Sequence, residues 1–485
     1  MIFLSLLYVF LAYLVYNYVK KFKNYGEGQL KGPMPLPIFG NLIQIGADKP
    51  HESLTKMHEK YGPIYRVWMG DVYTVVVNDI DILKKMLVTH FDKFVDRPHS
   101  PSFQFYSKNY KDLSLADREA WKEHREIVAA ALTKTKMKHI YELFDQQVQD
   151  LLASMAESEK SGVPFQPRRY TQRFSMNTML MFVFNKMVPY QEGVDSGLLK
   201  EILEPADEVF HDLGTAKLGD SIDMLKPFLT IYFKLANTCL EKVLKFIRKE
   251  YQEHLDSFKE EYKNNPRDFM DIMINEFQNR KEKLESIYLI CLDLLLAGTD
   301  TTAGSIEWSF LYMANNPEIQ EKAYKELDSV IGKNRNVVLS DRNSTPYVNA
   351  LIKEIGRVKP IGAFGLPHAC SEDIVIDGHF IPKGAQVLPN FCGISKNTKY
   401  WENPDEFNPN RFLGNSNTHG FDIFGWGPRG CVGRGIAQDE LYLSIANILK
   451  KYKISSTDGK QIRDDDIFGL TIHPHTFNVS LQERV

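Results

Sequence analysis

The sequence predicts a mainly α-helical protein with a small β-rich lobe. Amphipathic stretches of helical period run through the middle of the chain, such as Met137–Met155 and Leu240–Tyr262. Two runs rich in β-branched and aromatic residues flank Gly70-Asp71, which is typical of a hairpin. Further strand-forming runs lie between Ile374 and Val387 and near the C-terminus. Because no repeat or low-complexity tract interrupts the chain, we expect one large helical body with a small β component.

Composition excludes several classes of protein. The 485 residues carry a net charge of −3, so the chain lacks the basic excess of a nucleic-acid-binding protein and we predict no nucleic-acid partner. The five cysteines are scattered and form no Cys-x-x-Cys pair, which argues against a disulfide framework or a zinc site. They are Cys239, Cys291, Cys370, Cys392 and Cys431.

The N-terminus predicts a membrane anchor. Residues Ile2 to Val19 are nearly all apolar, and about 18 residues of helix span roughly 27 Å, close to the hydrocarbon thickness of a bilayer. No charge precedes this run, whereas Lys20, Lys21 and Lys23 follow it without a small-residue cleavage pattern. A retained anchor is therefore favoured over a cleaved signal peptide. The basic flank predicts that the rest of the chain faces the cytosol.

These features divide the chain into an anchor at 1–19, a basic and Pro-rich hinge at 20–42, and a globular domain at 43–485. Within the hinge, the prolines of the segment 32–40 fix several φ angles and predict a stiff spacer. The charged segment 259–267 is expected to be a surface loop between helices, because the helical pattern resumes at Asp268.

The segment from Phe424 to Gly433 carries the strongest chemical signal. Its glycines leave space around Cys431 for a flat, bulky group, and the helical pattern of Arg434–Lys451 places Cys431 near a helix N-terminus. Such a position favours thiolate over thiol, and a thiolate in a Gly-rich loop can ligate iron. The same glycines also match a dinucleotide-binding fingerprint. That alternative is disfavoured because lysines stand where its acidic residue is required.

This segment resembles the haem-binding signature of the cytochromes P-450, in their microsomal, membrane-anchored form. The pattern Phe-x-x-Gly-x-Arg-x-Cys-x-Gly is filled at every fixed position, by Phe424, Gly427, Arg429, Cys431 and Gly433. The resemblance implies the cytochrome P-450 fold, with haem b lying between the central long helix and the cysteine-loop helix. It also implies that Cys431 is the axial ligand of the haem iron. The remote alternative is a haem-free, membrane-tethered binding protein in which Cys431 is inert.

The segment from Leu294 to Thr302 resembles the family's long central helix, with Ala297 and Gly298 expected against the cofactor. Glycine inside a helix costs up to about 1 kcal/mol relative to alanine, so Gly298 predicts a close approach by the flat cofactor or by O₂. Asp300 and Thr301 place an acid beside a hydroxyl and are the candidate catalytic residues for proton delivery. Relatives that isomerise or dehydrate peroxides without O₂ usually lack this pair, which is intact here.

Two further sets of residues match the family. Glu354 and Arg357 lie at i,i+3 on a predicted helix, and the family joins such a pair to an arginine of a later segment, here Arg411, in a buried structural network. Asn410 departs from the glutamate that is common beside that arginine. The resemblance also assigns four residues to the haem propionates, for which the planar fork of arginine is suited. They are Trp121, Arg125, His368 and Arg429.

The implied reaction is monooxygenation of an apolar organic substrate by O₂. The chain leaves no room for flavin domains, so the implied electron donor is a separate, membrane-bound, NADPH-dependent flavoprotein reductase, and the implied location is the endoplasmic reticulum. Substrate walls are expected from the segments 100–110 and 361–366, with Ala363 and Phe364 on the distal face, and from the region near Phe210. The sequence does not distinguish among sterols, fatty acids, terpenoids and xenobiotics.

Overall fold

Helices form most of the chain in the computed structural model. It describes residues 2–21, 28–132, 138–215, 217–236, 238–277, 280–414 and 420–484, and within them all side chains except those of residues 2, 3, 6, 7 and 138–142. In chain order the α-helices are α1 (Ile2–Lys20), α2 (Leu42–Ile45), α3 (Pro50–Tyr61), α4 (Ile80–Lys84), α5 (Phe91–Phe94), α6 (Pro101–Tyr106), α7 (Arg118–Ala131), α8 (Lys138–Ser161), α9 (Pro167–Phe184), α10 (Gly197–Gly214), α11 (Leu218–Ser221), α12 (Lys226–Ala236), α13 (Cys239–Ser257), α14 (Phe269–Phe277), α15 (Leu284–Asn315), α16 (Pro317–Ile331), α17 (Pro346–Val358), α18 (Phe391–Lys396) and α19 (Arg434–Lys451).

The strands form one four-stranded sheet and several small ribbons. They are β1 (Ile64–Met69), β2 (Val72–Val77), β3 (His368–Ala369), β4 (Ile374–Ile376), β5 (His379–Ile381), β6 (Gln386–Pro389), β7 (Tyr452–Ser456), β8 (Asp466–Ile467), β9 (His473–Pro474) and β10 (Val479–Glu483). The larger sheet has the order β1-β2-β6-β3, in which β6 runs parallel to β2 and the other pairs are antiparallel. The pairs β4-β5, β7-β10 and β8-β9 are antiparallel ribbons.

The long helix α15 forms the centre of the helical body. It packs against α9, α13, α14, α17 and α19, and most of its side chains are buried. The span 281–315 that contains it is also long and apolar enough to cross a membrane. However, 72% of its most apolar stretch is buried inside the protein, so the core accounts for its composition. A helix that is apolar on all sides is the expected centre of a large helical domain.

Local sequence explains where several elements begin. The Asp79 carboxylate accepts the N–H groups of Asp81 and Ile82 at the start of α4, and Ser100 caps α6 in the same way. Proline occupies the first turn of α3, α9, α16 and α17, where its missing N–H costs no helical hydrogen bond.

The predicted fold class is confirmed. The hairpin around Gly70-Asp71 is β1-β2, the cysteine-loop helix is α19, and the charged segment 259–267 is a short connection between α13 and α14. The amphipathic stretch predicted from Met137 corresponds to α8, although Met137 itself lies outside the described residues. All five cysteines are free thiols.

The C-terminal end of the N-terminal helix α1 contacts the β-rich lobe. The Lys21 Nζ lies 3.4 Å from the Asp71 carboxylate and above the Trp68 ring. Residues 22–27 of the expected hinge lie outside the described residues, but the Pro-rich segment is described. It packs on the sheet through the backbone of Gly40, which pairs with Met69. This part of the hinge is therefore packed on the lobe, a contact that the prediction of a stiff spacer did not include.

Candidate active site

Cys431 lies in a tight loop directly before α19, as the sequence predicted. The loop is held by its own backbone, because the Cys431 N–H donates to the Phe424 carbonyl (2.8 Å) and the Gly430 N–H donates to the Gly427 carbonyl (2.9 Å). Gly427 has a φ of +73°, and a Cβ there would collide with the Leu87 carbonyl. Glycine is therefore required at position 427 by the packing of the loop itself, and not by the space needed for a ligand.

Two other glycines leave the loop bare beside the thiol. Within the described residues, a Cβ on Gly435 would meet no heavy atom inside 4 Å, and a Cβ on Gly433 would meet only the Cys431 Sγ, at 3.9 Å. A flat group can therefore approach the loop on this side, which is the space that the sequence predicted.

The Cys431 thiol lies among charged side chains. Arg434 pairs with the Asp422 carboxylate at 2.8 Å. Burial raises the pKa of the Cys431 thiol, while the Gly433 N–H and the charges of Arg125 and Arg434 oppose this rise. The Gly433 N–H at the start of α19 thus favours the thiolate, in the direction that the sequence predicted, while burial opposes it. A cation bound to the sulfur would provide the missing stabilisation.

A mainly apolar cavity of about 360 Å³ separates the cysteine loop from α15. Ala297 lies in the middle of the mostly buried helix α15. It is nevertheless exposed, because it faces this cavity. The walls include all nine residues that the sequence assigned to the cofactor, together with the candidate catalytic residue Thr301. They are Trp121, Arg125, Ala297, Gly298, Thr301, His368, Phe424, Arg429, Cys431 and Gly433. The two predicted walls, the central helix and the cysteine loop, thus enclose one space.

The sequence analysis missed a further arginine at this cavity. Arg97 is almost fully buried, and it donates to the backbone carbonyls of Ser114 (3.2 Å), Leu366 (3.0 Å) and Pro367 (3.0 Å). No carboxylate of the described residues forms an ion pair with it, and burial lowers its pKa to about 10. Its partners are carbonyls from distant segments, so no local sequence pattern could have identified it.

Arg429 lies in the same kind of environment. It donates to the carbonyls of Val95 (2.9 Å) and Ala116 (2.6 Å) and stacks on the Trp121 ring, at 4.4 Å from the ring centroid. Its Nη1 is buried and has no hydrogen-bond partner among the residues that the structure describes. Burial and then the nearby charge of Arg97 lower the pKa of Arg429 to about 8. Two buried guanidinium groups close to each other are unfavourable unless an anion joins them.

His368 completes this cationic edge of the cavity. Its Nδ1 lies 2.7 Å from the Phe94 carbonyl, so this nitrogen carries a proton. Burial and then the charges of Arg97 and Arg429 lower the pKa of His368 well below its usual range. Without an anion nearby, the imidazole is neutral.

The residues present fit a haem group. One wall offers a thiol that needs a cationic partner, and the edge offers buried arginines that need an anionic one. Haem brings an iron ion at the centre of a flat molecule and two carboxylates on one of its edges. The unpartnered Nη1 of Arg429 is the atom on which this fit depends most directly.

The two candidate catalytic residues point in different directions. Thr301 lines the cavity, and its Oγ1 donates to the Ala297 carbonyl at 2.6 Å. Asp300 is buried on another side of α15, where its carboxylate accepts a hydrogen bond from Thr471 and lies 3.0 Å from His473 and 3.6 Å from Arg168. These partners hold the pKa of Asp300 well below its usual range against the effect of burial. Its part in proton delivery stays a prediction, and any such part is indirect.

Replacing Asp300 by asparagine is expected to destabilise the fold by roughly 1–3 kcal/mol at neutral pH, because His473 and Arg168 lose their anionic partner. The pKa of Asp300 is lower in the folded than in the unfolded chain, so its stabilisation is complete above about pH 5 and is lost as the pH falls below about 4. Urea unfolding at several pH values measures this. A stability difference that is independent of pH would show that Asp300 is not the ionised centre of this network.

Gly298 has a packing contact that the sequence did not indicate. It borders the cavity, and a Cβ at this position would also collide with the side chain of Met179 on α9. The close packing of α9 on α15 is therefore a second reason for glycine here, beside the predicted approach of the cofactor or O₂, which stays a prediction.

Replacing Gly298 by alanine is expected to cost about 1–2 kcal/mol of stability, because overpacking outweighs the better helix propensity of alanine. In a Met179→Ala background the collision is gone, so the same change is expected to stabilise by up to about 1 kcal/mol. Denaturant unfolding of the four proteins in this cycle tests the sign change. If the cost of Gly298→Ala is the same in both backgrounds, Met179 is not its cause.

Glu354, Arg357 and Arg411 meet in a buried network, as the resemblance implied. Arg357 donates twice to the Glu354 carboxylate (2.7 and 2.9 Å), and Arg411 donates to the same carboxylate at 3.0 Å. Asn410 turns outward and accepts a hydrogen bond from Lys322 (2.7 Å), so its departure from the family pattern leaves the network intact.

The expected substrate walls are only partly found at the cavity. Phe364 lines it, whereas Ala363 is buried in a separate small cluster with Cys392 and Ile472. The aromatic side chains of α6 do not line it; for example, Phe105 stacks on Phe233 of α12. Phe210 packs against the main core. Ile361 and Leu366 of the predicted segment 361–366 and Leu294 of α15 also line the cavity, together with Leu113, which we did not single out.

Comparisons with known proteins agree with this geometry. The family model described as Cytochrome P-450 matches residues 30–481. The probable cytochrome P-450 508A1 of Dictyostelium discoideum is 42% identical over 479 residues, covering 98% of each chain. The probable cytochrome P-450 508A2 of the same organism is 40% identical over 497 residues, covering both chains completely. A solved zebra fish cytochrome P-450 with progesterone has a similar fold, with a TM-score of 0.78 and 24% identity over 90% of this chain and 99% of that chain.

Proposed function

Because the chain belongs to the cytochrome P-450 family, whose members are generally haem-thiolate monooxygenases, we propose that it inserts one oxygen atom of O₂ into an apolar organic substrate. The observation that carries this proposal is one cavity that joins an available thiol, a cationic edge and the hydroxyl of Thr301. Haem b bound there would supply the redox chemistry by which O₂ is activated.

Each wall has a distinct task in this proposal. Cys431 would hold the iron, and Arg97, Arg125, His368 and Arg429 would hold the carboxylates at the edge, with Trp121 fixing the plane of Arg429. The apolar side chains above the cofactor, including Phe364 and Leu366, would exclude water and bind an apolar substrate.

Thr301 is proposed to hold and pass a proton inside the cavity. Its hydroxyl hydrogen is directed at the Ala297 carbonyl, so its oxygen remains free to accept a hydrogen bond from water or from a substrate hydroxyl. Asp300, one residue earlier, fixes this part of α15 to β9 through His473.

Thr301→Ala is expected to retain haem but to lower product formed per NADPH by at least about tenfold, with hydrogen peroxide released instead. The matched control is Thr299→Ala on the same helix, because the Thr299 hydroxyl is buried against the Leu295 carbonyl and does not face the cavity. Peroxide and NADPH are measured together. Equal coupling of product to NADPH in wild type and Thr301→Ala would refute the proton-delivery role.

We propose that electrons come from NADPH through a separate flavoprotein reductase. Members of this family normally receive electrons from a redox partner, and the family match accounts for residues 30–481 of this sequence. The test is reduction under carbon monoxide with NADPH, with and without added reductase. Formation of the carbon monoxide complex only when reductase is present supports the proposal. NADPH oxidation by the purified chain alone would contradict it.

We also propose a membrane-bound location, with a single-pass anchor in the endoplasmic reticulum and the catalytic domain in the cytosol. Along α1 large apolar side chains are exposed, such as Tyr8, Val9 and Val15. A second exposed apolar face lies on α12 at helical spacing, formed by Phe228, Ile231, Tyr232 and Leu235. The end of α1 and the short helix α11, which precedes α12, both contact the tip of the β1-β2 hairpin. There Asp71 pairs with Lys21, and its N–H donates to the Ser221 carbonyl of α11 (2.7 Å). Two apolar faces next to one hairpin tip suit one lipid surface.

A further inference from the structure

An open groove lies on the β-rich lobe, away from the cavity described above. Its volume is about 530 Å³, and it is formed by the segment 29–32, the C-terminal end of α3 and the middle of β1. The charged side chains at this groove are all cationic, and they are Lys31, Lys60 and Arg66. Such a groove concentrates positive potential on a small area.

The three cations have no anionic partner in the part of the chain that the structure describes. Neither Lys31 nor Lys60 nor Arg66 has a carboxylate oxygen within 4.0 Å there, although ion pairs are common elsewhere on this surface, for example between Lys49 and Glu52 on α3. Lys60 lies only above the ring of its neighbour Tyr61, at 5.3 Å from the ring centroid. The groove therefore carries a local excess of positive charge.

Arg66 shows that this excess is built into the lobe. It belongs to the central part of β1. Its Nε and Nη1 are both out of reach of solvent, and neither has a hydrogen-bond partner within the described ranges of the chain. A half-buried guanidinium group in this state has given up water without gaining an acceptor, which is unfavourable. An anion in the groove would compensate the charge of Arg66.

The backbone fixes the groove in shape. The Arg66 N–H donates to the Lys31 carbonyl at 2.8 Å, so the segment 29–32 runs along the edge of β1. A Cβ on Gly32 would collide with the Arg66 backbone and lie 2.9 Å from its Cγ. Glycine at this position therefore lets the segment approach β1 closely enough to bring Lys31 beside Arg66.

The groove is close to the end of the N-terminal helix. Arg66 and Trp68 lie on the same face of β1, about 7 Å apart along the strand. Lys21, the residue that follows α1, lies above the Trp68 ring. A groove at this position can therefore bind an anion of a bilayer surface or an anion in solution.

We propose that this groove is a binding site for a phosphate group, held by Arg66, Lys31 and Lys60. Arginine and lysine together match a phosphate, since the planar fork of one fixes its orientation and the ammonium groups of the other add charge. The phosphate comes either from a lipid headgroup or from a free phosphate compound. The proposal does not depend on the monooxygenase reaction, and its test measures binding and not turnover.

The test is calorimetric titration of inorganic phosphate into the full-length chain, held in nanodiscs of phosphatidylcholine. We compare wild type with Arg66→Gln and Lys60→Gln, and use Lys56→Gln as the matched control. Lys56 lies on the same helix as Lys60 and is exposed, but it does not line the groove. Circular dichroism shows whether each variant is folded. If Arg66→Gln does not fold, Lys60→Gln still tests the groove.

We expect wild type and Lys56→Gln to bind phosphate equally, and both groove variants to bind about tenfold more weakly or not at all. The titration is repeated in nanodiscs in which part of the phosphatidylcholine is replaced by phosphatidic acid. Loss of phosphate binding there identifies the lipid headgroup as the occupant, and unchanged binding identifies the free compound. No phosphate binding by wild type, or equal binding by the groove variants, would overturn the proposal.

Discussion

Arg357→Ala is expected to destabilise the protein by roughly 3–5 kcal/mol, a large part of the total stability of a typical domain. The side chain is 1% exposed and makes two hydrogen bonds to Glu354 and three to the carbonyls of Ser395, Pro404 and Glu406. Its removal takes a buried donor from each of these carbonyls, of which that of Glu406 keeps its hydrogen bond from Arg411. Among the described residues, Arg411 is then the remaining cation at the Glu354 carboxylate. We expect little folded protein at 37 °C, and therefore little bound haem.

The control for this experiment is Arg463→Ala. Arg463 also pairs with a carboxylate, that of Asp465, but its side chain is 63% exposed. An exposed pair contributes at most about 1 kcal/mol, so this variant is expected to unfold at nearly the same denaturant concentration as wild type. Unfolding is followed by circular dichroism in urea. If Arg357→Ala costs no more than Arg463→Ala, the buried network does not stabilise the fold in the way that its geometry indicates.

Much of the fold could be predicted because the spacing of apolar residues and the turn residues determine helices and hairpins within short, continuous segments. The helix Arg434–Lys451 was predicted with the bounds that the structure has, and the hairpin followed from β-branched runs around Gly70-Asp71. The Pro-rich segment was interpreted less well. Proline fixes the backbone angles of a segment but does not determine what the segment packs against, and here Gly40 pairs with Met69.

The same limit applies to the functional site: residues of one continuous motif could be predicted, whereas contacts between distant segments could not. The cysteine loop is a continuous motif, so its residues were found together with their structural context. Arg97 was missed because its contacts come from segments 17 and 269 residues away along the chain. The direction in which Asp300 points depends on Thr471 and His473, near the other end of the chain. Adjacency of Asp300 and Thr301 in sequence therefore did not mean that both face the cavity.

Cys431→His is expected to abolish monooxygenation while leaving the fold intact. The Cys431 side chain is exposed at the cavity and the neighbouring glycines leave space around it, so the substitution disturbs few neighbours. Imidazole is a neutral ligand, and it lacks the electron donation by which a thiolate favours O–O cleavage. The variant is therefore expected to bind haem, but to form no product even with reductase, NADPH and O₂ present. A matched control is Cys392→Ala, because Cys392 lies outside the walls of the cavity.

The most direct test of haem-thiolate ligation is the absorption spectrum of the reduced, carbon monoxide-bound protein, recorded for wild type beside Cys431→His. Our interpretation predicts a strongly red-shifted Soret band in wild type and its absence in the variant, since only a thiolate opposite carbon monoxide produces that shift. A wild-type haem spectrum without the shift, or a chain that binds no haem, would contradict it.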